Sequence, residues 1–328
     1  MGGFILRRLL YMIPTLIIIS MISFAVIQLP PGDYLSSLIA QLASSGESMD
    51  NAQVLALKEQ YGLDQPFYIQ YWKWVSGIIF RGDFGLSFAW NRPVSEMIWE
   101  RLGLTVFVSF TTLLFVWIVS LPIGIYSAVR QYSLGDYLFT FIGFIGLAIP
   151  NFVLALALMY FAFAVLGQSV GGLFSPDYIE APWSWAKFVD MLAHIWIPVI
   201  VIGTSGMASL IRIMRANLLD ELNKPYVATA RAKGMKEWRL ILEYPVRVAL
   251  NPFVSTLGWI LPSLVSGAVI VSVVLSLPTT GPLLLKALVS QDMYLAGTII
   301  LLLSVLTVFG TLVSDILLAW LDPRIRYQ

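Results

Sequence analysis

Residues 226–238 read YVATARAKGMKEW, and they sit between two runs made almost wholly of apolar residues. Before them residues 194–211 read HIWIPVIVIGTSGMASLI, and after them residues 251–277 read NPFVSTLGWILPSLVSGAVIVSVVLSL. A helix needs roughly 20 apolar residues to cross a hydrocarbon layer of about 30 Å, and both flanks are of that kind. Arg231, Lys233, Lys236 and Glu237, set among alanines, are too costly to share that layer, so the quoted segment is a short polar connection between two spans. The fold class follows: an all-α, polytopic membrane protein.

Composition agrees. With 58% hydrophobic and 12% charged residues and a mean hydropathy of +0.82, the chain has too little polar surface to coat a soluble globule of its length. The net charge of +1 implies no bulk attraction to nucleic acid, and none is expected as a partner. Cysteine is absent, which excludes disulfides, thiolate metal sites and cysteine nucleophiles.

The first apolar run, 9–29, follows Arg7 and Arg8. It is longer than the core of a signal peptide and no cleavage site follows it, so it reads as a span. Five more are expected at about 104–128, 138–166, 196–216, 252–277 and 296–320. Pro14, Pro122, Pro150, Pro198 and Pro262 fall inside these runs and are tolerable in bundled membrane helices, where neighbours satisfy the freed carbonyls. A cytoplasmic N-terminus puts 13 of the 20 Lys and Arg residues in the inside segments 1–8, 129–137, 212–250 and 321–328, as the positive-inside rule requires. Six spans with both termini cytoplasmic are therefore expected. The chain divides into a first span (1–29), an extracytoplasmic cap (30–103), a five-helix core (104–320) carrying the polar connection at 217–244, and a cytoplasmic tail (321–328).

The cap has its own pattern. PPGD (30–33) opens it, AQVLALKEQYGL (52–63) has the spacing of an amphipathic helix capped by Gly62, and the aromatic-rich DQPFYIQYWKWVSGIIF (64–80) suits a membrane interface. RGDFGLSF (81–88) is a turn-forming cluster, in which Asp83 and Gly85 have structural roles open to them.

Catalytic chemistry is missing from the pattern. Membrane enzymes and ion-coupled carriers hold ionisable groups at bilayer depth, and these spans carry almost none. Asp315, toward the inner end of the last span, reads as a hydrogen-bonded or ion-paired boundary residue, and His194, the only histidine, as an interfacial or packing residue. No metal-binding, nucleophile-elbow or phosphate-loop motif occurs. Work done against a gradient would have to be powered by another chain, so the protein is read as a non-enzyme with no cofactor of its own.

The polar connection resolves further. Residues 216–224 continue as helix, Pro225 breaks it and suits the first turn of the next, Gly234 can stop that helix in a left-handed cap, and residues 236–243 add another turn or two before Pro245. Alanines 228, 230 and 232 keep the segment slim enough for a partner's backbone to come close. An ordinary basic loop touching lipid headgroups is the alternative.

YVATARAKGMKEWRLILEYPVRVALNP (226–252) resembles the coupling motif of the integral-membrane permease subunits of ATP-binding-cassette (ABC) importers, in the dipeptide, oligopeptide and nickel branch. The resemblance extends over nearly the whole chain: residues 7–33, 61–88, AIPNF (148–152), QDMYLAG (291–297) and LDPRIR (321–326) follow that family's order of landmarks. It departs from the family at Ala228-Thr229, at Glu243-Tyr244 where an Arg-His pair is usual, and at Pro278-Thr279-Thr280-Gly281 where Pro-Gly-x-Gly is common.

The resemblance implies a type I importer fold in a bacterial inner membrane. It implies that Tyr226, Ala228, Ala230, Arg231, Ala232, Lys233, Gly234, Met235, Glu237 and Arg239 dock with ATPase subunits. It further implies a second homologous permease, two cytoplasmic ATP-binding subunits that hold ATP and Mg, and a periplasmic solute-binding protein. Candidate pathway residues are Pro150, Asn151, Phe152, Ser263, Ser266 and Gly267, and Asp64, Trp72, Asp83 and Phe84 are candidates for docking the binding protein. A di- or oligopeptide is the first expectation for cargo, with an oligosaccharide, opine or nickel chelate as alternatives and an ion-coupled secondary carrier as a rival of another class.

Overall fold

The computed structural model describes residues 2–28, 65–168, 171–256 and 269–321. Long helices account for most of them, with two two-residue strands, Leu86–Ser87 and Arg92–Pro93, paired antiparallel. Contacts divide the chain into two compact units, one holding residues 1–8, 105–278 and 309–328, the other 9–104 and 279–308.

Four of the described helices are long and apolar enough to cross a membrane, over Ile5–Ala25, Val94–Val129, Trp196–Leu222 and Met293–Trp320. The span expected at 138–166 is not one straight rod. It is two helices, Leu134–Ala148 and Asn151–Leu166, bent by 104° at a two-residue break. The cause is local. A residue before proline is pushed out of the helical region, and Ile149 is extended at ψ 123°, while Pro150 restarts the chain at φ −57°. The amides of Val153 and Leu154 donate to the Pro150 carbonyl, so the new helix begins there (2.9 and 3.1 Å). The span expected at 252–277 begins with helix Pro245–Ser255 and then runs into residues 257–268, outside the described ones. The helix expected at 52–63 also lies outside them.

In the first unit the Trp196–Leu222 helix is the hub. The Pro245–Ser255, Leu134–Ala148 and Asn151–Leu166 helices all pack on it. Leu210, Met214 and Leu218, four apart on one face, are each fully buried. Gly124 lets the Val94–Val129 helix approach that face: a Cβ there would sit 2.7 Å from the Met214 side chain. Trp117 meets Phe253 edge-on at 5.2 Å. Asp315 is ion-paired with Arg8 at 3.3 Å. His194 is buried at the end of the Trp185–His194 helix, its Nδ1 2.8 Å from the Asp190 carbonyl oxygen.

The second unit packs Phe24 against Trp74, ring centroids 5.4 Å apart, on the Phe67–Arg81 helix. Its other apolar cluster gathers Val94 and Ile98 with Leu283, Leu295 and Ile299. Asp292 ties the hairpin to the start of the last helix. Ser87 Oγ donates to its Oδ2 at 2.5 Å, the Ala89 amide to the same oxygen at 3.2 Å, and the Leu295 amide to Oδ1 at 3.2 Å. Burial pushes the Asp292 carboxyl above the usual carboxylate range, against the opposing effect of those donors.

Candidate functional site

The Trp196–Leu222 helix ends at Asn223, and Pro225 opens a second helix, Pro225–Ala232, at its first-turn position. Gly234, at φ +78°, closes that helix with the two hydrogen bonds of a Schellman cap. The Gly234 amide donates to the Arg231 carbonyl at 3.0 Å and the Met235 amide to the Ala230 carbonyl at 3.4 Å. The chain then turns into a third short helix, Glu237–Glu243, and Pro245 starts the helix that follows. The proline and glycine punctuation read from the sequence thus yields two short helices with a glycine corner between them.

Val227, Leu240 and Ile241 are the buried anchors of this pair. The rest of the surface is open: Ala228, Arg231, Ala232, Lys233, Gly234, Glu237 and Arg239 are exposed, while Ala230 and Met235 are half-buried. Tyr226 donates its hydroxyl to Glu221 Oε2 at 2.5 Å, which ties the second helix to the end of the first. Burial, then the Glu221 carboxylate, pushes that phenol above the ordinary tyrosine range. Arg231 reaches over the glycine corner to Glu237 with two parallel hydrogen bonds, Nε to Oε2 at 3.1 Å and Nη2 to Oε1 at 2.5 Å. Their effect holds the Glu237 carboxyl below its usual range. Arg239 pairs with Glu243 one turn on, at 3.1 Å. The result is a corner fixed by backbone and side chain alike, with a slim, basic outer face.

The other candidates are dispersed. Pro150 and Phe152 are exposed and Asn151 half-buried at the bend between the paired helices; Ser263, Ser266 and Gly267 lie outside the described residues. Trp72 is exposed on the Phe67–Arg81 helix. Asp83 has turned inward to its own loop, Oδ1 accepting from the Gly85 amide at 2.9 Å, and Phe84 meets Trp99 edge-on at 5.9 Å. Asp64 lies outside the described residues. A cavity of about 270 Å³ in the second unit is lined by Lys73, Trp74, Arg81, Asp83 and Tyr294 among others. Among the described residues no three His, Asp or Glu side chains gather as a metal site would require.

One buried ion pair had no counterpart in the sequence reading. Asp136 is almost fully buried and meets Arg215 with two hydrogen bonds, at 3.2 and 3.0 Å. The signal was present in Ser133-Leu134-Gly135-Asp136, a helix-start pattern ahead of an apolar run. Ser133 Oγ accepts from the Asp136 amide at 3.2 Å, and Asp136 Oδ2 accepts from the Tyr132 amide at 3.0 Å.

Residues 120–327 match the family described as the binding-protein-dependent transport system inner membrane component, and residues 1–109 match the N-terminal region of the same kind of membrane component. The chain belongs to this family. The chain is 37% identical over 328 residues to the oligopeptide transport system permease protein AppB of Bacillus subtilis (strain 168), with both chains covered in full. It is 32% identical over 329 residues to the glutathione transport system permease protein GsiC of Escherichia coli (strain K12) and of Salmonella typhimurium, again over the whole of each. This family member is an all-α, multi-pass inner-membrane permease subunit of an ABC importer, not an enzyme, and it works within a transport system that has other subunits.

Proposed function

We propose that this permease forms one half of a translocation pathway for short peptides, and that its two short helices around Gly234 are where ATPase subunits grip it. The cargo rests on the names of the relatives, since oligopeptides and glutathione are both peptides, and they do not favour an oligosaccharide, opine or nickel chelate. The drive rests on geometry. A corner held by a Schellman cap, an Arg231–Glu237 clamp and the Tyr226–Glu221 tie is rigid enough to pass a push into the Trp196–Leu222 and Pro245–Ser255 helices at its two ends.

On this reading Tyr226, Ala228, Ala230, Arg231, Ala232, Lys233, Gly234, Met235, Glu237 and Arg239 form the docking element. Two cytoplasmic ATPases carry ATP and Mg, a second homologous permease completes the pathway, and a periplasmic solute-binding protein delivers cargo near Trp72 and the 270 Å³ cavity. Six spans with both termini cytoplasmic are the topology this requires. The bend at Pro150, with Asn151 and Phe152, supplies backbone polar groups to the pathway, joined by Ser263, Ser266 and Gly267. The test is transport in liposomes containing the permease pair, the ATPases and the binding protein. Peptide uptake that needs ATP supports the reading. Uptake driven by a proton gradient with ATP absent would refute it.

A further inference from the structure

A cavity of about 350 Å³ lies in the first unit between the Leu134–Ala148 and Trp196–Leu222 helices. We propose that it holds the phosphate headgroup of an anionic phospholipid, with Arg212 as the chief contact. The charged residues lining the cavity are Asp136, Arg212 and Arg215, and Asp136 is committed to Arg215 at 3.0 Å. That leaves one positive charge over. Arg212 is exposed and has no carboxylate partner among the described residues; its guanidinium instead lies over the Phe144 ring, 5.4 Å from the centroid. Stacking leaves the in-plane N–H donors of an arginine free for a planar or tetrahedral oxyanion.

Chemistry and depth fit the same occupant. Tyr132, Tyr137 and Thr140 add hydroxyls to the lining, while Phe139 and Ile211 add apolar wall suited to glycerol and the first methylenes of an acyl chain. Arg212 is 16 residues beyond Trp196, about 24 Å along the helix at 1.5 Å per residue. That is most of the hydrocarbon thickness of ~30 Å, so the guanidinium lies near the headgroup level. The turn at 130–133, which joins two apolar helices, marks the same boundary. Basic pockets between membrane helices at this level suit anionic headgroups, and the dipole of a zwitterionic one would cancel most of the attraction.

The full-length chain in a neutral detergent, titrated with phosphatidylglycerol and with phosphatidylcholine of matched acyl chains and read by native mass spectrometry, tests this. Phosphatidylglycerol should bind more tightly, Arg212→Gln should weaken it at least about fivefold, as expected for one lost cation near a headgroup, and Arg212→Lys should keep the preference. Excess inorganic phosphate should fail to displace the lipid. Thr140→Trp, which fills the cavity from an exposed position without touching charge, should block binding as Arg212→Gln does. Equal binding of the two lipids, unchanged binding in Arg212→Gln or Thr140→Trp, or displacement by phosphate alone would overturn the proposal.

Discussion

Arg231 and Glu237 grip each other through two parallel hydrogen bonds across the Gly234 corner, at 3.1 and 2.5 Å, on a surface where both side chains are about half exposed. Exposed ion pairs add little to stability, so the effect expected of this fork is on the geometry of the corner it bridges. Glu237→Gln is therefore expected to leave Tm of the assembled transporter unchanged while lowering the ratio of peptide moved to ATP hydrolysed. Paired transport and phosphate-release assays read that ratio, and an unchanged ratio would remove the clamp from the mechanism.

Gly234 is the stricter position. Its φ of +78° is in the left-handed region, yet a Cβ built there would meet nothing within 4 Å. The cost of a side chain is thus backbone strain, about 1–2 kcal/mol for an ordinary L residue, and not collision. Asparagine, which tolerates this region, should retain coupling, and Gly234→Val should lose most of it while still reaching the membrane. Transport measured for both variants separates the two causes: equal loss in Asn and Val would point to bulk at the docking face instead of backbone geometry.

Much of this corner was legible in the sequence because its signals are local. Pro225, Gly234 and Pro245 act on their own dihedral angles, and the structure puts helix ends where they fall. The apolar runs were legible for the same reason. The 104° bend was not, since a proline inside a membrane helix can either kink it gently or end it, and neighbours decide which. Long-range polar partners were hidden too. Asp136 and Arg215 stand 79 positions apart, and Ser87 and Asp292 are separated by 205. No spacing rule connects such residues before the helices are packed.

Asp136 and Arg215 give a stability prediction. Asp136 has 4% of its side chain exposed and Arg215 has 28%. Removing one partner of a fully buried pair costs about 3–5 kcal/mol, and the partial exposure of Arg215 lowers the expectation for Arg215→Ala to roughly 2 kcal/mol. Thermal unfolding of Arg215→Ala, Asp136→Ala and the double variant should give a coupling energy of similar size. Additive losses would mean that the two side chains contribute independently.

Asp292 should make stability depend on pH. Its folded carboxyl holds a proton more readily than the ordinary aspartate value of 3.8. Folding therefore takes up a proton between 3.8 and the raised value, and stability falls as pH climbs through that window. Asp292→Asn should flatten this slope. Asp292→Ala should strand the buried Ser87 hydroxyl and Leu295 amide, at a cost of about 1–3 kcal/mol for each donor left buried without an acceptor, while the amide of exposed Ala89 can turn to water. Hydrogen exchange at the amides of residues 86–92, followed against pH, checks both statements.

The absence of cysteine makes the decisive measurement simple. Ala232→Cys, at the exposed end of the first short helix, can be labelled with a photoactivatable maleimide in membranes that hold the assembled transporter. A light-dependent adduct with an ATP-hydrolysing subunit is expected, its yield changing between nucleotide-free and ATP-bound states. Adducts with lipid alone, or with no ATPase in either state, would contradict it.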